Sequence, residues 1–205
     1  MSANLILESF QHKEKFYTRE NQNGKKIKYF NPLKILLIGK SGCGKSYILR
    51  DLMTKIGHEF EFGIVISGTE FDNKPFYSQF IPRMFIYGLQ DVQQEGFFDQ
   101  KIFNIQQKLM DKHGYEGLGH VFILMDDCVS STKWLQRDDV SKLLFEGRHY
   151  KITLVIAIQY DKLMPPKLRN NFDFIILPNT QNVKFLKSIN DEYINMDDNF
   201  TIWLP

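Results

Sequence analysis

From Asn31-Pro32 onward, short apolar runs alternate with stretches of helical spacing. Leu33 to Ile38 reads as a buried strand. Lys45 to Ile56 then puts Ile48, Leu49, Leu52, Met53 and Ile56 on one helical face. Gly63 to Ser67 predicts a second strand, and residues 84–87 a third, short one. Phe97 to His113 predicts an amphipathic helix carrying Phe98, Ile102, Ile105 and Leu109 inward. His120 to Asp127 is another buried strand. Trp134 to Glu146 is read as a helix with Val140, Leu143 and Leu144 facing in. Ile152 to Gln159 is a strand rich in β-branched residues, Phe172 to Leu177 is one more, and Phe200 to Leu204 is placed to close the sheet. Strands alternating with helices predict an α/β sandwich, with a mostly parallel sheet covered on both faces.

The first thirty residues break this pattern. They are polar and basic, with Lys13, Lys15, Arg19, Lys25, Lys26 and Lys28. Lys15 to Thr18 and Ile27 to Phe30 flank Asn21-Gln22-Asn23-Gly24, which predicts a β-hairpin with an Asn-Gly turn. It reads either as a solvated flap or as a basic surface for DNA or a neighbouring subunit. The chain thus divides into an extension, residues 1–30, and one domain, residues 31–205.

Composition supports a single folded domain: 205 residues, 43% hydrophobic and 24% charged. The net charge of +2 offers no general attraction for nucleic acid. Contact with DNA would need a local patch, or a pore formed by several copies. Two cysteines, Cys43 and Cys128, without CxxC spacing, exclude a disulfide scaffold and a zinc module. No run approaches the ~18 apolar residues of a membrane span. Residues 1–8 lack the charged and apolar regions of a secretion signal, so a reducing, intracellular setting is expected.

Gly39-Lys40-Ser41-Gly42-Cys43-Gly44-Lys45-Ser46 matches G-x-x-x-x-G-K-[ST] between a predicted strand and a predicted helix. Glycines let backbone N–H groups turn inward around phosphate oxygens, and the start of the helix adds positive field there. Lys45 is expected to reach the β- and γ-phosphates of a nucleotide, and Ser46 to hold Mg²⁺. Cys43 reads as a small residue tolerated in the loop rather than a redox sensor.

Val121 to Met125 runs into two carboxylates, Asp126 and Asp127, at the strand end where parallel sheets bind ligands. Asp126 is a candidate for Mg²⁺, and Asp127 for polarising an attacking water. Two acids capping a strand at the surface is the plainer alternative. Roughly eighty residues separate the two motifs, which suits P-loop ATPases with an extra strand between the phosphate-loop strand and the acidic strand. That class predicts a polar residue at the end of the inserted strand, where Gln159 stands. Arg148, in Gly147-Arg148-His149-Tyr150, suits either charge neutralisation across a subunit boundary or a cation at a helix C-terminus. Arg169 is a second candidate, with a solvent-exposed turn as its alternative.

With these residues in place, the chain resembles the poxvirus-type genome-packaging ATPases of large DNA viruses and virophages, within the FtsK–HerA superfamily. The resemblance runs from about residue 30 to the C-terminus. It rests on the phosphate loop, Gly68-Thr69-Glu70, Pro75-Phe76-Tyr77-Ser78-Gln79-Phe80-Ile81-Pro82, Ile123 to Asp127, Gly147 to Ile152, Ile158-Gln159 and Leu168 to Asn171. It implies an additional-strand, RecA-like P-loop fold and an oligomeric ring, pentamer or hexamer, that hydrolyses ATP to pump double-stranded DNA into a procapsid. It implies work at the cytoplasmic assembly site of a virus-infected cell, or with the virion. By the same resemblance Arg148 matches an arginine acting on the neighbouring subunit's ATP, and Gln159 a sensor of hydrolysis. One departure is Asp127, where the superfamily usually has Glu. No separate nuclease or DNA-binding domain is expected.

A nucleotide or small-molecule kinase is the rival from another class, but no Arg-bearing lid is evident. A GTPase would need Asn-Lys-x-Asp, and Asn73-Lys74-Pro75-Phe76 lacks the Asp. A transporter-type signature is absent. A helicase or conjugation-type pump shares the same core. DNA-gripping loops are expected around Ser130–Lys133 or Lys162–Lys167.

Overall fold

The structure is a computed structural model that describes residues 16–20, 26–71, 75–128, 132–178, 180 and 182–194. Strands β1 (Phe16–Glu20) and β2 (Lys26–Phe30) pair antiparallel as the predicted hairpin, with Glu20 opposite Lys26. The Asn-Gly turn lies outside the described residues, as does the strand predicted at 200–204.

The remaining strands among the described residues are β3 (Lys34–Ile38), β4 (Phe62–Ser67), β5 (Ile86–Tyr87), β6 (Val121–Asp126), β7 (Ile152–Ile158) and β8 (Phe174–Ile176). They form one sheet in the order β5-β4-β6-β7-β3-β8, and every pairing is parallel. Alternate residues of one strand feed two cores. Ile35 and Leu37 meet Leu49, Leu52 and Ile56 of helix α1 (Lys45–Ile56) on one face. Leu36 and Ile38 face the other core, with Phe98, Ile102 and Val140. Burial on both faces is why these strands read as nearly continuous apolar runs rather than as apolar at every second position. Residue 126 of β6 pairs with 157 of β7, and 38 of β3 with 158. The C-terminal ends of β3, β6 and β7 therefore reach one edge together.

Between β5 and β6 lies α2 (Leu89–Val92), then a π-helical turn at Asp99–Phe103 leading into α3 (Asn104–His113). The sequence predicted one uninterrupted helix with Ile105 inward. The extra residue of the π-turn rotates α3 about its axis, so Ile105 is 42% exposed and Gln106 is buried instead. Gln106 donates from Nε2 to the carbonyls of Gly119, at 2.9 Å, and Tyr150, at 2.7 Å. The helix predicted over 134–146 is likewise two, α4 (Thr132–Leu135) and α5 (Asp138–Glu146). Arg137 leaves helical conformation between them. Its guanidinium donates to the carbonyls of Val92 and Gln94 and pairs with Asp139. These bonds tie the start of α5 to the end of α2 and the residues just after it. Two short helices follow among the described residues, α6 (Pro166–Arg169) and α7 (Val183–Ile189), the second running into a π-helical turn at Asn190–Ile194.

Candidate nucleotide-binding site

The phosphate loop links β3 to α1 at the C-terminal edge of the sheet. Gly42 and Gly44 have φ of 76° and 91°, which side-chain-bearing residues rarely adopt. Gly39 is needed for space: a Cβ there would lie 2.6 Å from Cys43 Sγ and 2.9 Å from Pro178. Lys45 is buried within the loop. Its Nζ donates to the carbonyls of Gly39, at 2.7 Å, and Lys40, at 3.3 Å, and stands 3.7 Å from Asp127 Oδ1.

Asp126 ends β6 and is 4% exposed. Ser46 Oγ donates to its Oδ2 at 3.3 Å, and the Tyr77 hydroxyl donates to the same oxygen at 2.7 Å. Its Oδ1 is buried with no hydrogen-bond partner, and so is Oδ1 of Asp127. Burial pushes the Asp126 carboxyl above its usual range. The Tyr77 bond and Lys45 oppose this, while the Asp127 charge adds to it. Asp127 was predicted to end the strand, but it leaves the sheet with φ 51°, a left-handed conformation that Asp tolerates better than most. The turn brings its carboxylate back toward Lys45. Lys45, Ser46, Asp126 and Asp127 thus meet in one place.

Gln159 leaves β7 beside the loop. With Gly39, Lys40, Cys43, Pro178 and Phe185 it lines a cleft of about 210 Å³. The segment after Gln159 is anchored from behind. Ser188 Oγ donates to the Asp161 carboxylate, and the Tyr193 hydroxyl to the Asp161 carbonyl at 2.7 Å. Arg169 belongs to this anchor. It is 8% exposed, donates to Met164 O, pairs with Glu192 and lies 4.8 Å over the Tyr193 ring. The exposed turn considered for it from sequence is not what forms.

Arg148 sits at the opposite edge. It lies on a 3-10 turn, Gly147–Tyr150, before the N-terminus of β7, and pairs with Asp173 while 46% exposed. The seven residues of β7 separate that edge from the phosphate loop by about 23 Å. Within one chain Arg148 and the loop are not brought together. The loop at 129–131 lies outside the described residues.

Two residues not singled out as site residues from sequence belong to the constellation. Tyr77 contacts Asp126, and Glu70 holds Tyr77 in place. Glu70 is 2% exposed and accepts backbone N–H bonds from Phe76, at 2.7 Å, Tyr77, at 2.8 Å, and Ser78, at 2.8 Å. Burial works against its charge, but these donors outweigh burial and hold the carboxyl below its usual value of 4.5. A depressed acid stabilises the fold above its unfolded pKa and loses that contribution as pH falls through the folded value. Glu70→Gln is therefore expected to lower stability by about 2 kcal/mol at neutral pH. Urea unfolding should show the deficit shrinking below pH 4.5; a deficit constant with pH would show that the charge is not what matters.

The model of the family described as poxvirus A32 protein matches residues 20–193. The chain belongs to that family. Among relatives, it is 34% identical over 178 residues to protein 075L of Invertebrate iridescent virus 6, covering 83% of this chain and 63% of that one. It is 33% identical over 165 residues to protein L437 of Acanthamoeba polyphaga mimivirus, covering 79% and 57%. Both relatives are described as uncharacterized, and the chain spans about three-fifths of their length. Among solved structures, B204, the DNA-packaging ATPase of Sulfolobus turreted icosahedral virus, shares the fold with a TM-score of 0.59 at 19% identity, covering 80% of this chain and 84% of that one. The conjugation coupling protein TcpA of pCW3, solved with ATPγS, gives 0.57 at 17% identity, covering 89% and 59%. The fold is therefore that of the P-loop NTPases.

Proposed function

We propose that the protein is an ATPase that couples hydrolysis of Mg-ATP to movement of double-stranded DNA during viral genome packaging. The observation that carries the reading is the meeting of Lys45, Ser46 and two carboxylates, each with a buried oxygen that accepts no hydrogen bond, at the mouth of a phosphate loop. The family match and the resemblance in fold to B204 support packaging as the purpose.

The residues fit a magnesium ion. A hard cation would satisfy the bare Oδ1 of Asp126 and offset the paired negative charges. The described residues contain no cluster of three His, Cys, Asp or Glu side chains that would hold a metal alone. Ser46 and Asp126 would hold it together with nucleotide phosphates. The ion would neutralise charge on the β- and γ-oxygens. Phosphoryl transfer leaves the protein mainly the work of positioning and charge stabilisation. Lys45 supplies a fixed positive charge to the phosphates. Asp127 orients the attacking water; being one methylene shorter than Glu, it does so from a backbone turned toward Lys45. Gln159 reports the γ-phosphate. Arg148 completes the site only from a neighbouring copy, which calls for a ring, here read as a pentamer or hexamer working on a procapsid at the assembly site of an infected cell. No helix among the described residues is long and apolar enough to cross a membrane.

Steady-state ATP hydrolysis measured against protein concentration, with and without double-stranded DNA, tests the reading. The rate per subunit should rise with both. A rate independent of both, appearing only with a small phosphate acceptor, would replace the motor with a kinase.

A further inference from the structure

We propose that Tyr77 is a positioning residue that aims Asp126 at the metal ion, an inference that rests on the Mg-ATP reading above. A carboxylate can rotate about its Cβ–Cγ bond. One short hydrogen bond to one oxygen stops that rotation and fixes where the other oxygen points. Tyr77 makes this bond at 2.7 Å to Oδ2, while Oδ1 stays without a partner. Ser46 touches the same Oδ2 at 3.3 Å, but its oxygen is also wanted by the metal. Tyr77 is then the donor left to hold the acid. The phenol donates and does not ligate, so it acts only through Asp126.

The ring is held from two sides that have no share in phosphate binding. Glu70 fixes its backbone N–H at 2.8 Å. Phe76 and Phe80 pack against it edge-on, with centroids 5.2 and 6.0 Å away. The ring is 2% exposed. A buried hydroxyl needs a partner, but Asp126 is a costly one to choose for core packing alone. A buried carboxylate with one bare oxygen is the less stable arrangement unless a cation completes it. Groups that orient metal ligands commonly change metal affinity 10- to 100-fold when removed.

Tyr77→Phe removes the hydroxyl and keeps the ring. Manganese serves as the probe, with free Mn²⁺ read by electron paramagnetic resonance during titration of the protein with ADP. The apparent Mn²⁺ dissociation constant should rise about tenfold or more, while ADP affinity in EDTA stays unchanged. Near-UV circular dichroism confirms that the variant is folded. Glu70→Gln is the second probe, since it loosens the segment under the ring and leaves the hydroxyl in place. It should weaken Mn²⁺ binding in the same direction by a smaller factor. If folded Tyr77→Phe binds Mn²⁺ like wild type, the positioning role is overturned and the Mg-ATP reading stands. If Tyr77→Phe does not fold, a Glu70→Gln protein with wild-type Mn²⁺ binding overturns it equally. Wild-type protein that binds ADP but no Mn²⁺ would overturn both.

Discussion

Lys45→Ala is expected to lower ATP turnover at least about 10²-fold, the loss typical of removing one charge-stabilising donor from a site of this kind. Lys45 is 6% exposed and is enclosed by two loop carbonyls and Asp127, so its charge has a single fixed position. Removing it takes from Asp126 and Asp127 the cation that stands beside them at the phosphates. Like charges then oppose nucleotide binding as well as the transition state. Fluorescent-nucleotide titration should show weaker affinity, and turnover should fall further than affinity. Lys45→Arg should not rescue. A planar guanidinium does not fit the space in which an ammonium reaches Gly39 and Lys40 carbonyls together. Turnover of Lys45→Ala within about twofold of wild type would remove the phosphate loop from the catalytic site.

Arg148→Ala is expected to leave nucleotide affinity unchanged and to lower kcat by about 10³-fold, the lower end of what a trans-acting arginine contributes. The separation of affinity from turnover comes from topology, because Arg148 stands at the sheet edge opposite the loop of its own chain. Its ion pair with Asp173 is partly exposed, and breaking such a pair costs about 0–1 kcal/mol. The thermal midpoint should therefore move little, which separates lost catalysis from lost folding. Mixing Arg148→Ala with Lys45→Ala protein gives the sharper result. Each variant alone is strongly impaired, but some boundaries in a mixed ring join an intact loop to an intact arginine. Partial recovery of turnover is expected. Normal hydrolysis by Arg148→Ala, or a mixture that stays inactive, would defeat the assignment.

Much of this fold was legible along the chain because a parallel sheet covered on both faces leaves a strong mark. Every residue of β3 and β7 is buried, and their apolar runs mark both strands to within two residues. The phosphate loop was legible for a different reason. Its backbone must adopt left-handed φ at Gly42 and Gly44, and few residue types permit that. Asp126 was readable as an acid closing an apolar run. In each case the constraint is local, so the residue types themselves carry it.

Where the sequence misled, the missing information was tertiary. Ile105 has the right spacing for the core, yet the π-turn at Asp99–Phe103 rotates it out and seats Gln106 between two distant carbonyls. Arg137 interrupts a helical pattern and ties the chain to carbonyls some forty residues earlier. Arg169 read either as a second candidate for the trans-acting arginine or as part of a solvent-exposed turn, but Glu192 and Tyr193 pack against it within its own chain. Tyr77 and Glu70 lie far in sequence from Asp126, and no periodicity links them.

The sequence by itself determined the parallel sheet, the phosphate loop and the strand-end acid, because burial and backbone conformation restrict residue choice position by position. The tertiary structure alone decided which groups complete the acid, which arginine stays exposed, and that Arg148 faces away from its own loop. Those are relations between chain-distant groups, set by strand order and by the pairing of buried polar atoms, and no single position in the chain records them.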